Sequence, residues 1–207
     1  MAIVDEIIRP ADCFFGMCLP LTKQDFFDSL DPGNNKTYSK IRQRQYAGYN
    51  REALWERDHE PLVRLFNNKK KELEELGVTF CLNFSLKDLA VLENYKASAL
   101  FAHHDDELKK VELFDGMYDI DVIIKHIPAG FNRVLDFTLC ESVPLQTAVK
   151  KVFRDCLAIA NKLKTNPEFR LVCYSRAISF LQTENISYVD AIAKVRLLLI
   201  NSIPIKK

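Results

Sequence analysis

Two stretches decide how this chain folds: Ala99-Leu100-Phe101-Ala102-His103-His104 and Val134-Leu135-Asp136-Phe137-Thr138-Leu139-Cys140. Each is an apolar run of strand length that ends in a reactive side chain. Val111-Glu112-Leu113-Phe114 lies between them, closed by the turn Asp115-Gly116, and a short helical pattern follows with Ile120, Ile123, Ile124 and Ile127 on one face. One strand delivering an imidazole beside another delivering a thiol is the arrangement a cysteine hydrolase requires.

Outward from this centre, apolar strands alternate with helices. Cys13-Phe14-Phe15-Gly16-Met17-Cys18-Leu19, closed by Pro20, is a buried strand. A helix is expected over 23–30, stopped by Asp31-Pro32-Gly33-Asn34-Asn35. Residues 36–57 are polar and basic with interspersed aromatics, an irregular excursion from a single domain spanning 1–207. A helix through Leu62, Leu65, Phe66, Leu73 and Leu76 ends at Gly77, a helix stop. A strand over 78–84 follows, and Ser85 with Asp88 caps another helix. Beyond Cys140 the pattern gives a long helix over 144–164, a strand over 169–174 and a final helix over 187–200. The class is α/β, with a mostly parallel sheet covered on both faces. Reactive groups in such sheets gather beyond the carboxyl ends of the strands, where both His104 and Cys140 fall.

Composition narrows the function. Twenty-nine basic against 28 acidic residues leave a net charge of +1, so no global field points to nucleic acid or membrane. Lys69-Lys70-Lys71 runs directly into Glu72, Glu74 and Glu75, the signature of a solvated helix face. No apolar run approaches the ~20 residues of a membrane span. Met1-Ala-Ile-Val-Asp-Glu has no basic, apolar leader pattern, and six cysteines without a Cys-x-x-Cys pair read as reduced thiols. The expected location is the cytoplasm. The four histidines lack zinc-type spacing with the cysteines, and no glycine-rich phosphate loop exists, so neither metal nor cofactor is expected.

With these residues in place, the chain resembles the caspase-type cysteine peptidases, in particular their bacterial CHAT branch. The resemblance is carried by Leu100-Phe101-Ala102-His103-His104, by the hairpin and helix Val111-Glu112-Leu113-Phe114-Asp115-Gly116-Met117-Tyr118-Asp119-Ile120-Asp121-Val122-Ile123, and by Val134 to Cys140. In pattern it covers about 78–200. It implies a caspase-like αβα sandwich, a protein substrate, an activating protein partner, Cys140 as nucleophile and His104 as base. His104 is preferred over His103 because it is the last residue before the charged turn. Oxyanion donors would come from the backbone of Cys140 and of the turn at Asp105. Asp136, Glu141, Asp105 or Asp106 would line a pocket for a basic P1 residue, or Arg176 would hold an acidic one.

Two further readings compete. The family follows its histidine with Gly, where this chain has Asp105-Asp106, and Glu141 adjoins the thiol, where a carboxylate raises the thiol pKa. These positions define an inactive caspase-like interaction module. Alternatively, Asp105, Asp106 and Asp136 would converge around Mg²⁺ in a receiver-like signalling domain.

Overall fold

The computed structural model describes residues 5–31, 48–105, 109–137, 142–161 and 166–202. Its centre is a five-stranded, wholly parallel sheet of β1 (Cys13–Met17), β2 (Thr79–Leu82), β3 (Ala97–Phe101), β7 (Val134–Phe137) and β8 (Leu157–Ile159), in the order β2-β1-β3-β7-β8. Between β3 and β7 the chain builds a second, antiparallel sheet from β4 (His103–Asp105), β5 (Lys110–Leu113) and β6 (Gly116–Asp119).

The central strands lack polar alternation because helices cover both of their faces. All five residues of β1 are buried, as are all of β3 and β7. On one face Phe15, Ala99 and Val134 pack beneath α3 (Glu60–Glu75), α6 (Pro167–Thr183) and α7 (Tyr188–Ser202). On the other, Phe14, Leu100, Leu135 and Phe137 meet a 3₁₀ stretch (Leu86–Asn94), α4 (Ile120–His126) and α5 (Val143–Val152). The result is a three-layer αβα arrangement, as the alternating pattern requires. Gly16 is dictated by this packing: a Cβ there would stand 2.9 Å from the Phe84 ring.

Near the amino end, α1 (Lys23–Leu30) and α2 (Arg51–Leu54) enclose a smaller cluster of Phe26, Leu54, Trp55 and Val63. A π-helical turn, Trp55–His59, joins α2 to α3, and His59 Nε2–H donates to the Pro20 carbonyl oxygen at 2.6 Å. Only 48–57 of the expected excursion lies within the described residues, and it is mostly helical.

Two expectations at the carboxyl end are corrected. The helix expected over 144–164 ends at Val152; the chain turns at Arg154-Asp155 and forms the edge strand β8. Cys156-Leu157-Ala158-Ile159 is a short apolar run, which fits helix and strand equally well in periodicity. The strand expected over 169–174 is helical, part of α6. Asn166 caps that helix by accepting from Glu168 N–H at 2.7 Å, with Pro167 in the first turn.

Candidate active site

The strand order reverses direction between β1 and β3, and sheets of this kind bind their ligands beyond the carboxyl ends of the strands at such a point. β3 ends at Phe101, and two residues later the chain enters β4, so His103 and His104 begin the second sheet directly above the first. Cys18, just beyond β1, donates its N–H to the Phe101 carbonyl oxygen at 3.0 Å and ties the two strand ends together. The hairpin is anchored in turn: Phe114 N–H donates to Phe84 O at 2.9 Å, and Leu86 N–H to the Asp115 carboxylate at 3.1 Å.

Within β4 the two imidazoles separate. His103 stands opposite Glu112 and is half-buried, whereas His104 stands opposite Val111 and is only 2 % exposed. Both ring nitrogens of His104 are out of contact with solvent. Asp105 closes β4, opposite Lys110.

Cys140 and Glu141 lie outside the described residues, as does Asp106. The residues that flank the thiol segment are described, and they form a knot. Ser142 Oγ–H donates to the Phe137 carbonyl oxygen at 3.3 Å and accepts from Asn161 N–H at 3.1 Å. Asn161 Nδ2–H donates to the same Phe137 oxygen at 3.1 Å, and Ser142 N–H donates to Asn161 O at 3.0 Å. Phe137 and Ser142 are thus held at hydrogen-bond distance at the carboxyl end of β7. From Ser142 the chain enters α5, whose positive amino end favours an anion nearby.

The other five cysteines are a foil to Cys140. Burial pushes every one of their thiols up: Cys13, Cys18, Cys81, Cys156 (to about 12) and Cys173. A thiol held protonated is a poor nucleophile.

Three expected pocket residues fall elsewhere or out of view. Asp136 pairs with Ala99 inside the sheet and is 5 % exposed beneath α7. Tyr188 O–H donates to its carboxylate at 2.9 Å, and burial pushes its pKa up to about 6 despite that bond and the charges of Arg170 and Arg196. Arg176 sits on the exposed side of α6 rather than past a strand end. Glu141 is the one outside the described residues. Of the carboxylates in the receiver-like reading, Asp136 takes this buried place and Asp106 lies outside the described residues; no group of three metal-ligating side chains occurs among the described residues.

The sequence reading missed Glu112, Ser142 and Asn161. Val111-Glu112-Leu113 alternates like any strand with one solvated face, so nothing local marks Glu112 as 2 % exposed. No protein-family model matches the chain, and no curated protein matches it.

Proposed function

We propose that the chain is a caspase-like cysteine endopeptidase acting on protein substrates, with Cys140 as nucleophile and His103 as its base. One observation carries this reading. β3 and β7 are adjacent and parallel with Leu100 opposite Phe137; His103 follows Leu100 by three residues, and Cys140 follows Phe137 by three. An imidazole and a thiol that follow paired positions of neighbouring parallel strands at the same interval support the reading of one shared site. The expectation from sequence was His104, but its burial and its pairing with Val111 favour a packing role. A base has to reach the leaving amine, and half-buried His103 keeps that access.

In this reading His103 takes the Cys140 proton, and the thiolate attacks the scissile carbonyl carbon. The imidazolium then protonates the departing amine as the C–N bond breaks, leaving a thioester. Water, deprotonated by the neutral imidazole, releases the carboxylate product and restores the thiol. The amino end of α5 supports the thiolate. A reducing compartment, the cytoplasm, keeps such a thiol competent, and an activating protein partner belongs to this reading through the resemblance. No helix among the described residues is long and apolar enough to cross a membrane.

The test is alkylation by iodoacetamide and by peptidyl chloromethyl ketones, resolved cysteine by cysteine by mass spectrometry. Cys140 reacts at least ~100-fold faster than the other five thiols, the low end of what a positioned base contributes. His103→Ala removes that advantage and His104→Ala leaves it. Reaction at Cys140 that is no faster than elsewhere and indifferent to both histidines establishes the inactive-module reading instead.

A further inference from the structure

We propose that Glu112 is a positioning residue for this dyad, its carboxylate orienting the imidazole of His103 and stabilising its protonated form. The catalytic meaning rests on the peptidase reading above; the geometry rests on the β4–β5 pairing alone.

Glu112 is directly opposite His103 in the antiparallel ladder. Opposed residues share a face of the sheet, with Cβ atoms about 4.5–5.5 Å apart, within reach of a Glu and a His side chain. The same small sheet shows the effect one strand over: Lys110 is opposite Asp119, and the two form an ion pair at 3.6 Å.

The burial of Glu112 is what calls for a role. Val111 and Leu113 point into the core beneath the 3₁₀ stretch and α4, so alternation turns Glu112 to the other face. On the outer face of a small three-stranded sheet a glutamate is ordinarily solvated. Here it is 2 % exposed, and glutamate is almost never so buried without a partner that justifies the charge. Its charge is directed inward. The Cys18 thiol at the carboxyl end of β1 is pushed up first by its own burial and next by the charge of Glu112. Among the described residues, His103 of β4 and the apolar Met117 of β6 stand opposite Glu112 in the ladder, and the Cys18 thiol beyond β1 senses its charge.

A carboxylate accepting one imidazole N–H fixes the tautomer and leaves the other nitrogen to act as base; its charge then favours the imidazolium formed during the reaction. This would compensate for the carboxylates near the thiol, which by themselves oppose thiolate formation.

The experiment uses the full chain with ¹³C-labelled histidine, its His103 resonance assigned through His103→Ala, and compares wild type, Glu112→Gln and Glu112→Asp. In Glu112→Gln the His103 titration midpoint falls by about one pH unit, the lower end of the effect of removing an opposite charge at this range. Glu112→Asp, which keeps the charge, retains most of the wild-type midpoint. Iodoacetamide alkylation of Cys140 slows about tenfold at neutral pH in Glu112→Gln and recovers in Glu112→Asp, one pH unit being a factor of ten. An unmoved His103 midpoint in Glu112→Gln overturns the proposal, because a merely structural glutamate would lower stability and leave that titration alone. A moved midpoint with Cys140 alkylation indifferent to His103→Ala sinks the peptidase reading and the catalytic role with it, while the Glu112–His103 coupling stands.

Discussion

Asp136 shows how far one residue departs from its sequence neighbourhood. Its folded-state pKa, about 6, stands above the ordinary 3.8 because burial disfavours the anion. A raised acid favours the folded state only while it is protonated. Its contribution is therefore complete below pH 3.8 and is lost as pH rises through about 6. The difference corresponds to about 3 kcal/mol in all. Asp136→Asn, which can still accept from Tyr188, is expected to stabilise the protein at pH 8 by up to that amount and to have little effect at pH 4. Urea unfolding at the two pH values checks this; equal effects at both would mean that the carboxyl is not buried as described. At this scale the sequence shows residue type but not place. Asp136 was visible as a carboxylate in a strand, but which face it takes and what covers it depend on α7, more than fifty residues later in the chain. The choice between His103 and His104 is of the same kind. It turns on strand register, and neither neighbour in sequence carries that information.

Elements were legible in proportion to their length and their punctuation. β1, β3 and β7 are buried throughout, and the capping box of Ser85 with Asp88 forms as the spacing requires, with Asp88 accepting from Ser85 N–H at 2.8 Å. Gly77 follows α3 with φ at +97°, a conformation suited to glycine. β8 was hidden because three strand residues are too few to interrupt a helical spacing that continues through Val149, Val152 and Cys156. The consequence is functional as well as architectural, since Asn161, which ties off the thiol segment, follows β8 directly. Ser142→Ala tests that tie. The hydroxyl is fully buried and joins Phe137 to Asn161, so its removal should cost about 1–3 kcal/mol in chemical unfolding. A loss below a few tenths would show that the knot contributes nothing to holding the end of β7.

For the whole molecule, the parallel sheet predicts a gradient of local stability. β1 and β3 lie between two neighbours and two helical layers, whereas β2 and β8 are edges and β4 to β6 form a separate ribbon. Amides of β1 and β3 should exchange most slowly with solvent, and those of β8 and the ribbon should open by smaller, independent fluctuations. Hydrogen exchange followed by NMR decides the point, and slowest exchange in the ribbon would contradict the layered architecture. Such a gradient suits the candidate chemistry. The imidazole strand β4 would belong to the more compliant sheet, and the segment leading to the thiol would spring from the rigid one.

The position of β1 in the chain has a consequence for how the protein is made. Cys13–Met17 is the apolar centre of the sheet, yet its partner β3 begins about eighty residues later. At ribosomal speeds of roughly 5–20 residues per second, that separation leaves Phe14 and Phe15 without their sheet for roughly 4–16 s. During that interval the most hydrophobic strand of the molecule is a binding site for chaperones, or for another nascent chain.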